Sequence, residues 1–141
     1  MLATQTGMIR LAHPADMTAV VELMFALQQE THWRKFEMSA AHVEATIVRW
    51  LTESGQHALF IAEDDGALVG LCGGEITSNP FFPHVPFVQE WAWYVRPEYR
   101  QNGAGPALLR ALYRWGKARG ARGGVAARIT AHGEEMRWTS F

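Results

Sequence analysis

Apolar positions recur along this chain with two different periods, and the switches between them predict its elements. Val20, Leu23, Met24 and Leu27 fall at the three-and-four spacing of one buried helical face, in a segment that Pro14-Ala15-Asp16 opens and that runs to about residue 29. Proline is tolerated in a first helical turn, and an early acid suits the positive end of the helix dipole. A second stripe, Val43, Ile47, Trp50 and Leu51, follows Ser39, a suitable cap, and stops at Gly55. A third, Leu108, Ala111, Leu112 and Trp115, occupies residues 103–119 beside a basic stripe of Arg110, Arg114 and Lys117, and Gly120 ends it. Residues 8–13, 58–62, 68–76, 88–95 and 124–129 read as strands, the second and third joined by a tight turn at Asp64-Asp65-Gly66. Pro80, Pro83 and Pro86 make 77–87 a long loop, because they remove donors that a central strand would need. The pattern predicts an α/β chain of the α+β type: a mixed, mostly antiparallel sheet of about five strands flanked by helices. Residues 88–130 form its strand-helix-strand unit, with parallel strands and a right-handed crossover.

Composition narrows the class. With 141 residues, 48% of them hydrophobic, the chain is expected to form a single domain over 1–141 with a core sufficient to fold without staples. Its one cysteine, Cys72, excludes an internal disulfide and a multi-cysteine zinc site and favours a reducing compartment. The 6 histidines show no metal-ligand spacing, so no metal is expected. There is no apolar window of about 18 residues and no basic-then-apolar leader, so no membrane partner is expected and the expected location is cytoplasmic.

The net charge of −1 conceals an asymmetry that changes the picture. Residues 1–95 carry 4 Lys+Arg against 11 Asp+Glu, whereas 96–128 carry 8 against Glu98 alone. A basic segment this local suggests an anionic ligand such as a phosphate. Nucleic acid is not the expected partner, since few aromatics interleave the basic stripe and the chain as a whole is not basic.

Between the strand at 88–95 and the third helix lies Arg100-Gln101-Asn102-Gly103-Ala104-Gly105. Its glycines permit a tight turn whose free N–H groups point outward at a helix N-terminus, a nest that suits a phosphate. No Lys-Ser/Thr follows the second glycine, so it is not a Walker loop, and Leu108 stands where a dinucleotide fingerprint has its third glycine. The run from Glu90 through Trp91, Trp93, Tyr94 and Val95 to Arg100-Gln101-Asn102-Gly103-Ala104-Gly105, followed by Leu108-Leu109, resembles the acetyl-CoA motif of the GNAT N-acetyltransferase superfamily. The order of elements over 8–129 resembles that fold as well.

The resemblance implies acetyl-CoA as cosubstrate, with main-chain groups near Tyr94 and Val95 pairing with the pantetheine arm and Arg100, Gln101, Asn102, Gly103, Ala104 and Gly105 wrapping the pyrophosphate. It implies a small-molecule or peptide amine as acceptor. An amine of pKa near 10.4 is neutral in about one molecule in 2,500 at pH 7, so attack on a thioester needs a base. Glu90, in an apolar run, is the candidate base, with Glu75 in reserve. A backbone N–H near Val95 would serve the oxyanion if the strand splays, and a bulge there would be diagnostic. Trp33, Phe36, Phe81, Phe82 and His84 lie on the two loops that flank the acceptor side of the resembling fold.

That family usually continues past its fifth strand with a helix, often the source of a tyrosine near the thiolate, and two more strands. Here only residues 130–141 remain, without a tyrosine, so Tyr94 and His132 are the substitutes for the acid. The fifth strand is then expected to present an open edge, which a second copy of the chain would complete as a homodimer. The competing function is a non-catalytic CoA-binding or interaction module of the same fold.

Overall fold

The computed structural model describes residues 7–129 and 131–141. These form one sheet of six strands in sequence order: β1 (Met8–Leu11), β2 (His57–Asp64), β3 (Ala67–Ser78), β4 (Pro86–Val95), β5 (Gly123–Ile129) and β6 (Glu134–Ser140). All neighbours pair antiparallel except β4 and β5, which are parallel and joined through a helix, α3 (Ala104–Ala118).

Two helices cover the other face, α1 (Met17–Glu30) and α2 (Ala40–Thr52). Val20, Leu23 and Leu27 of α1 and Ile47 and Trp50 of α2 pack on Leu59, Ile61, Leu71, Ala92 and Tyr94. Leu108, Leu112 and Trp115 of α3 pack on Ala58, Val69, Cys72, Val88 and Val95 from the opposite side. Each helix thus buries the stripe its spacing predicts, and alternate residues of one strand feed two cores.

The ends follow local chemistry. Ser39 accepts from the His42 N–H at 3.3 Å. Gly120, at φ +93°, closes α3 with paired returns, its own N–H to Lys117 O at 3.1 Å and that of Ala121 to Gly116 O at 3.0 Å. Asp65 and Gly66 both have positive φ in the β2–β3 turn, as a two-residue hairpin demands.

The outcome differs from the sequence reading at three places. The proline-rich loop is shorter than 77–87, because β3 runs to Ser78 and Pro86 pairs with it as the first residue of β4, where its missing donor costs least. A sixth strand exists: β6 lies antiparallel along β5, from Gly123↔Ser140 to Ile129↔Glu134. Consequently β5 has no open edge, and a second copy is not needed to complete it. β6 has little sequence signal, because only Met136 and Trp138 alternate with polar residues in it, and all seven of its residues are exposed.

Candidate functional site

The site begins with a failure of pairing. β4 and β5 are in register only at Val88↔Gly124 and Gln89↔Val125, and beyond those pairs the two strands part. Opposite this opening, β4 bulges against β3: Gly73 faces Ala92 and Gly74 faces Glu90, which leaves Trp91 as the extra residue. The bulge therefore lies at Trp91, four residues before Val95, where it would have been diagnostic. Gly74 permits it, since a Cβ there would come within 2.3 Å of Gln89 O. An extra residue turns the alternation of β4 over, so that Val88, Trp93 and Val95 reach the α3 core while Ala92 and Tyr94 reach the α1 core.

Glu90 spans the opening. Its Oε1 accepts from the Ala127 N–H of β5 at 2.9 Å, so a carboxylate stands where the next rung of the parallel ladder would be. The residue is only 2% exposed. Burial raises its pKa from 4.5 to about 7 against the opposing pull of the Ala127 N–H, and the charge of Glu134 adds to the rise. Glu75, the reserve, is engaged elsewhere: it accepts from the Trp91 indole at 3.1 Å and lies 3.4 Å from the ring of His57.

The glycine loop lies between β4 and α3. Residues Pro97–Asn102 form a short 3-10 turn, and Gly103, at φ +85°, enters α3 without a side-chain cap. Ala107 makes the first return bond, to Gly103 O at 3.2 Å. The N–H groups of Ala104 and Gly105 precede any carbonyl that could accept within the helix, and Pro106 has no N–H. Nothing would lie within 4 Å of a Cβ on Gly103, so the space over this turn is open. Beside it Asn102 is half-buried, with its Oδ1 buried and unpartnered. An open nest of free N–H groups fits a pyrophosphate. Below it, the Trp93 indole donates to Gly105 O at 2.9 Å and ties the helix entry to the splayed strand.

Two clefts open on the splay. One, of about 680 Å³, lies between α3 and the β5–β6 hairpin and is lined by Trp93, Leu109, Tyr113, Ala126, Arg128 and residues 135–139 of β6. The other, of about 340 Å³, is lined by Glu30, Thr31, Trp93, Tyr94, Val95, Arg100, Ala127, Arg128 and Ile129. Tyr94 and Val95 thus line this second cleft, but the Val95 carbonyl already accepts from Arg100 Nε at 2.8 Å. Arg100 turns away from the nest toward α1, where its Nη2 lies 2.7 Å from Glu30. Gln101 is exposed.

Of the substitutes for the acid, Tyr94 donates its hydroxyl to Glu30, and burial together with that carboxylate pushes its pKa up to about 12. His132 is exposed between β5 and β6. Of the loop aromatics, the Trp33 indole donates to Glu134 of β6 at 3.1 Å. Trp33, Phe36, Phe81, Phe82 and His84 line neither cleft.

Three contributors were not singled out from the sequence. Tyr113, whose ring lies over Gly124 of β5 and which pairs with Thr139, stands beside the apolar helical stripe and looks like core. Trp93 looks like an ordinary strand aromatic, and Glu30 meets Tyr94 and Arg100 only across 64 and 70 residues of chain. Among the described residues no group of three or more His, Cys, Asp or Glu could hold a metal, and no helix is long and apolar enough to cross a membrane.

Residues 23–135 match the family model described as the acetyltransferase (GNAT) family. Among solved structures, the chain is similar to AAC(6')-Iy in complex with the bisubstrate analogue CoA-S-monomethyl-acetylneamine, with 22% identity, 87% of this chain and 79% of that one covered, and a TM-score of 0.66. It is also similar to a ribosomal-protein-alanine N-acetyltransferase from Brucella melitensis biovar Abortus 2308 (21% identity, 81% and 74% covered, TM-score 0.62). A glucosamine-6-phosphate N-acetyltransferase from Arabidopsis thaliana shares the fold at 13% identity, with 81% and 76% covered and a TM-score of 0.65. A comparison with curated protein sequences finds no match.

Proposed function

This chain belongs to the GNAT acetyltransferase family, and we propose that it transfers an acetyl group from acetyl-CoA directly to a primary amine with Glu90 as general base. The observation that carries the reading is the buried Glu90 carboxylate bridging the gap between β4 and β5. A carboxylate of pKa about 7 is divided between its two forms at neutral pH, which balances availability against basicity. Its Oε1 is fixed by Ala127, so the other oxygen is the one available to take a proton from an ammonium group, directly or through a water.

Acetyl-CoA, when bound, supplies the thioester. The nest at Asn102, Gly103, Ala104 and Gly105 would hold its pyrophosphate, and the unpaired edges of β4 and β5 offer main-chain groups to the amides of its pantetheine arm. The acceptor then approaches from the α1 face, through the cleft lined by Glu30, Tyr94 and Ala127. The three relatives named above carry three different acceptors in their titles, so the fold alone does not select one. A departing thiolate of pKa near 8.5 leaves tolerably without an acid, so Tyr94 can remain bonded to Glu30 throughout.

The test is calorimetric titration with CoA, followed by thiol release from acetyl-CoA over a panel of amines across pH 5.5–9. The wild type is expected to bind CoA and to show kcat/KM rising through a pKa near 7. Glu90→Gln should keep CoA affinity, lose about 10²–10⁴ in kcat and lose that limb. CoA binding without turnover on any amine would favour the non-catalytic CoA-binding module, and unchanged activity in Glu90→Gln would remove the residue from the reaction.

A further inference from the structure

Arg100 makes three contacts on the α1 side of the sheet and none of them is to a phosphate cradle. Its Nη2 lies 2.7 Å from Glu30 Oε1, its Nε donates to Val95 O at 2.8 Å, and its guanidinium sits 5.5 Å above the Tyr94 ring. Glu30, the last residue of α1, receives the Tyr94 hydroxyl as well. That carboxylate forms one wall of the 340 Å³ cleft whose lining includes Ala127, the residue that holds Glu90. A ligand filling this cleft would lie against Glu30 and beside the Ala127 backbone that Glu90 holds.

We propose that Glu30 is a binding group for an acceptor that carries a second positive charge, and that Arg100 masks it until a diphosphate draws Arg100 away. The proposal rests on the acetyl-CoA reading above. Arg100 stands three residues before Gly103, so a diphosphate held at the nest would draw its guanidinium off the α1 side of the sheet. The side chains of Arg100 and Glu30 are 47% and 37% exposed, so the pair is held only as firmly as ion pairs in water are, and a diphosphate offers more charge and a bidentate geometry. Once Arg100 turns, Glu30 keeps the Tyr94 hydroxyl but loses its bonded cation. Cofactor binding thereby exposes a carboxylate on the acceptor side, which couples the two sites with no movement of the backbone.

The competition predicts opposite signs for its two partners. By calorimetry at low salt, Glu30→Gln should bind CoA at least threefold tighter than wild type, because Arg100 no longer has to be withdrawn from a carboxylate. Arg100→Gln should bind CoA at least fivefold more weakly and yet bind 1,4-diaminobutane better than wild type does without CoA, because Glu30 is already unmasked. With CoA saturating, wild type should favour 1,4-diaminobutane over 1-aminobutane at least fivefold, and Glu30→Gln should not discriminate. Unchanged or weaker CoA binding by a folded Glu30→Gln, or no diamine preference in wild type, overturns the proposal while leaving the acetyltransferase reading in place. Failure of wild type to bind CoA removes both. Arg100→Gln tests the same competition should Glu30→Gln not fold.

Discussion

Replacing Glu90 by glutamine tests the electrostatics of the site through folding, without any substrate. In the wild type, the folded protein holds the Glu90 proton to about pH 7, whereas the unfolded chain releases it near 4.5. Between these values the native state binds more protons than the unfolded one, so stability falls as pH rises and levels off above 7. At about 1.4 kcal/mol for each pH unit, the gap amounts to about 3 kcal/mol, a large part of the stability of a domain of this size. Glutamine keeps the shape, and its carbonyl can still accept from Ala127, but it has no charge to bury. Urea unfolding at pH 4.5 and pH 8 should therefore show Glu90→Gln gaining about 3 kcal/mol relative to wild type between the two, a relative midpoint shift of about 1–3 M. A difference between the two proteins that stays constant across this range would refute the reasoning, and with it the claim that burial raises the Glu90 pKa. The variant expected to lose turnover is thus expected to be the more stable one above pH 7, as when a site keeps a group that folding alone would discard.

Two further substitutions probe the scaffold. Gly116 lies where α3 crosses β4, and a Cβ there would stand 2.1 Å from Val88 Cγ2; Gly116→Ala should cost about 1–3 kcal/mol by denaturant unfolding, and an unchanged midpoint would show that the helix can lift without penalty. Gly103→Ala meets open space but a φ of +85°, so it should lose about 1 kcal/mol of stability and, by calorimetry, bind CoA more weakly; full CoA affinity would detach the nest from the pyrophosphate.

Much of the frame is legible along the chain because it is locally encoded. The three amphipathic stripes, the Ser39 cap, the Gly120 stop and the Asp65-Gly66 turn each express a backbone preference or a period that a few neighbouring residues suffice to state. The glycine loop before α3 belongs with them, since a positive φ at Gly103 and free N–H groups at a helix start are properties of six consecutive residues. The choice of Glu90 combines a charge in an apolar run with the strand that the family resemblance sets beside the thioester.

The tertiary structure alone decides what depends on partners distant in sequence. Sequence names Glu90, but the burial and raised pKa that suit it to the proposed role arise because β4 and β5 stop pairing after Gln89 and Val125 and Ala127 lies across the gap. β6 is held by the ladder it makes with β5 and by Trp138 against Phe87, and its own pattern offers only Met136 and Trp138 in alternation. The bulge at Trp91 exists only as a mismatch between two strands, and Arg100 bonds Glu30 although nothing near either residue announces the other. Local rules specify where the chain turns and which faces are apolar; register and the meeting of remote charges are properties of the assembled sheet, because their energies are realised only when distant segments are already in place.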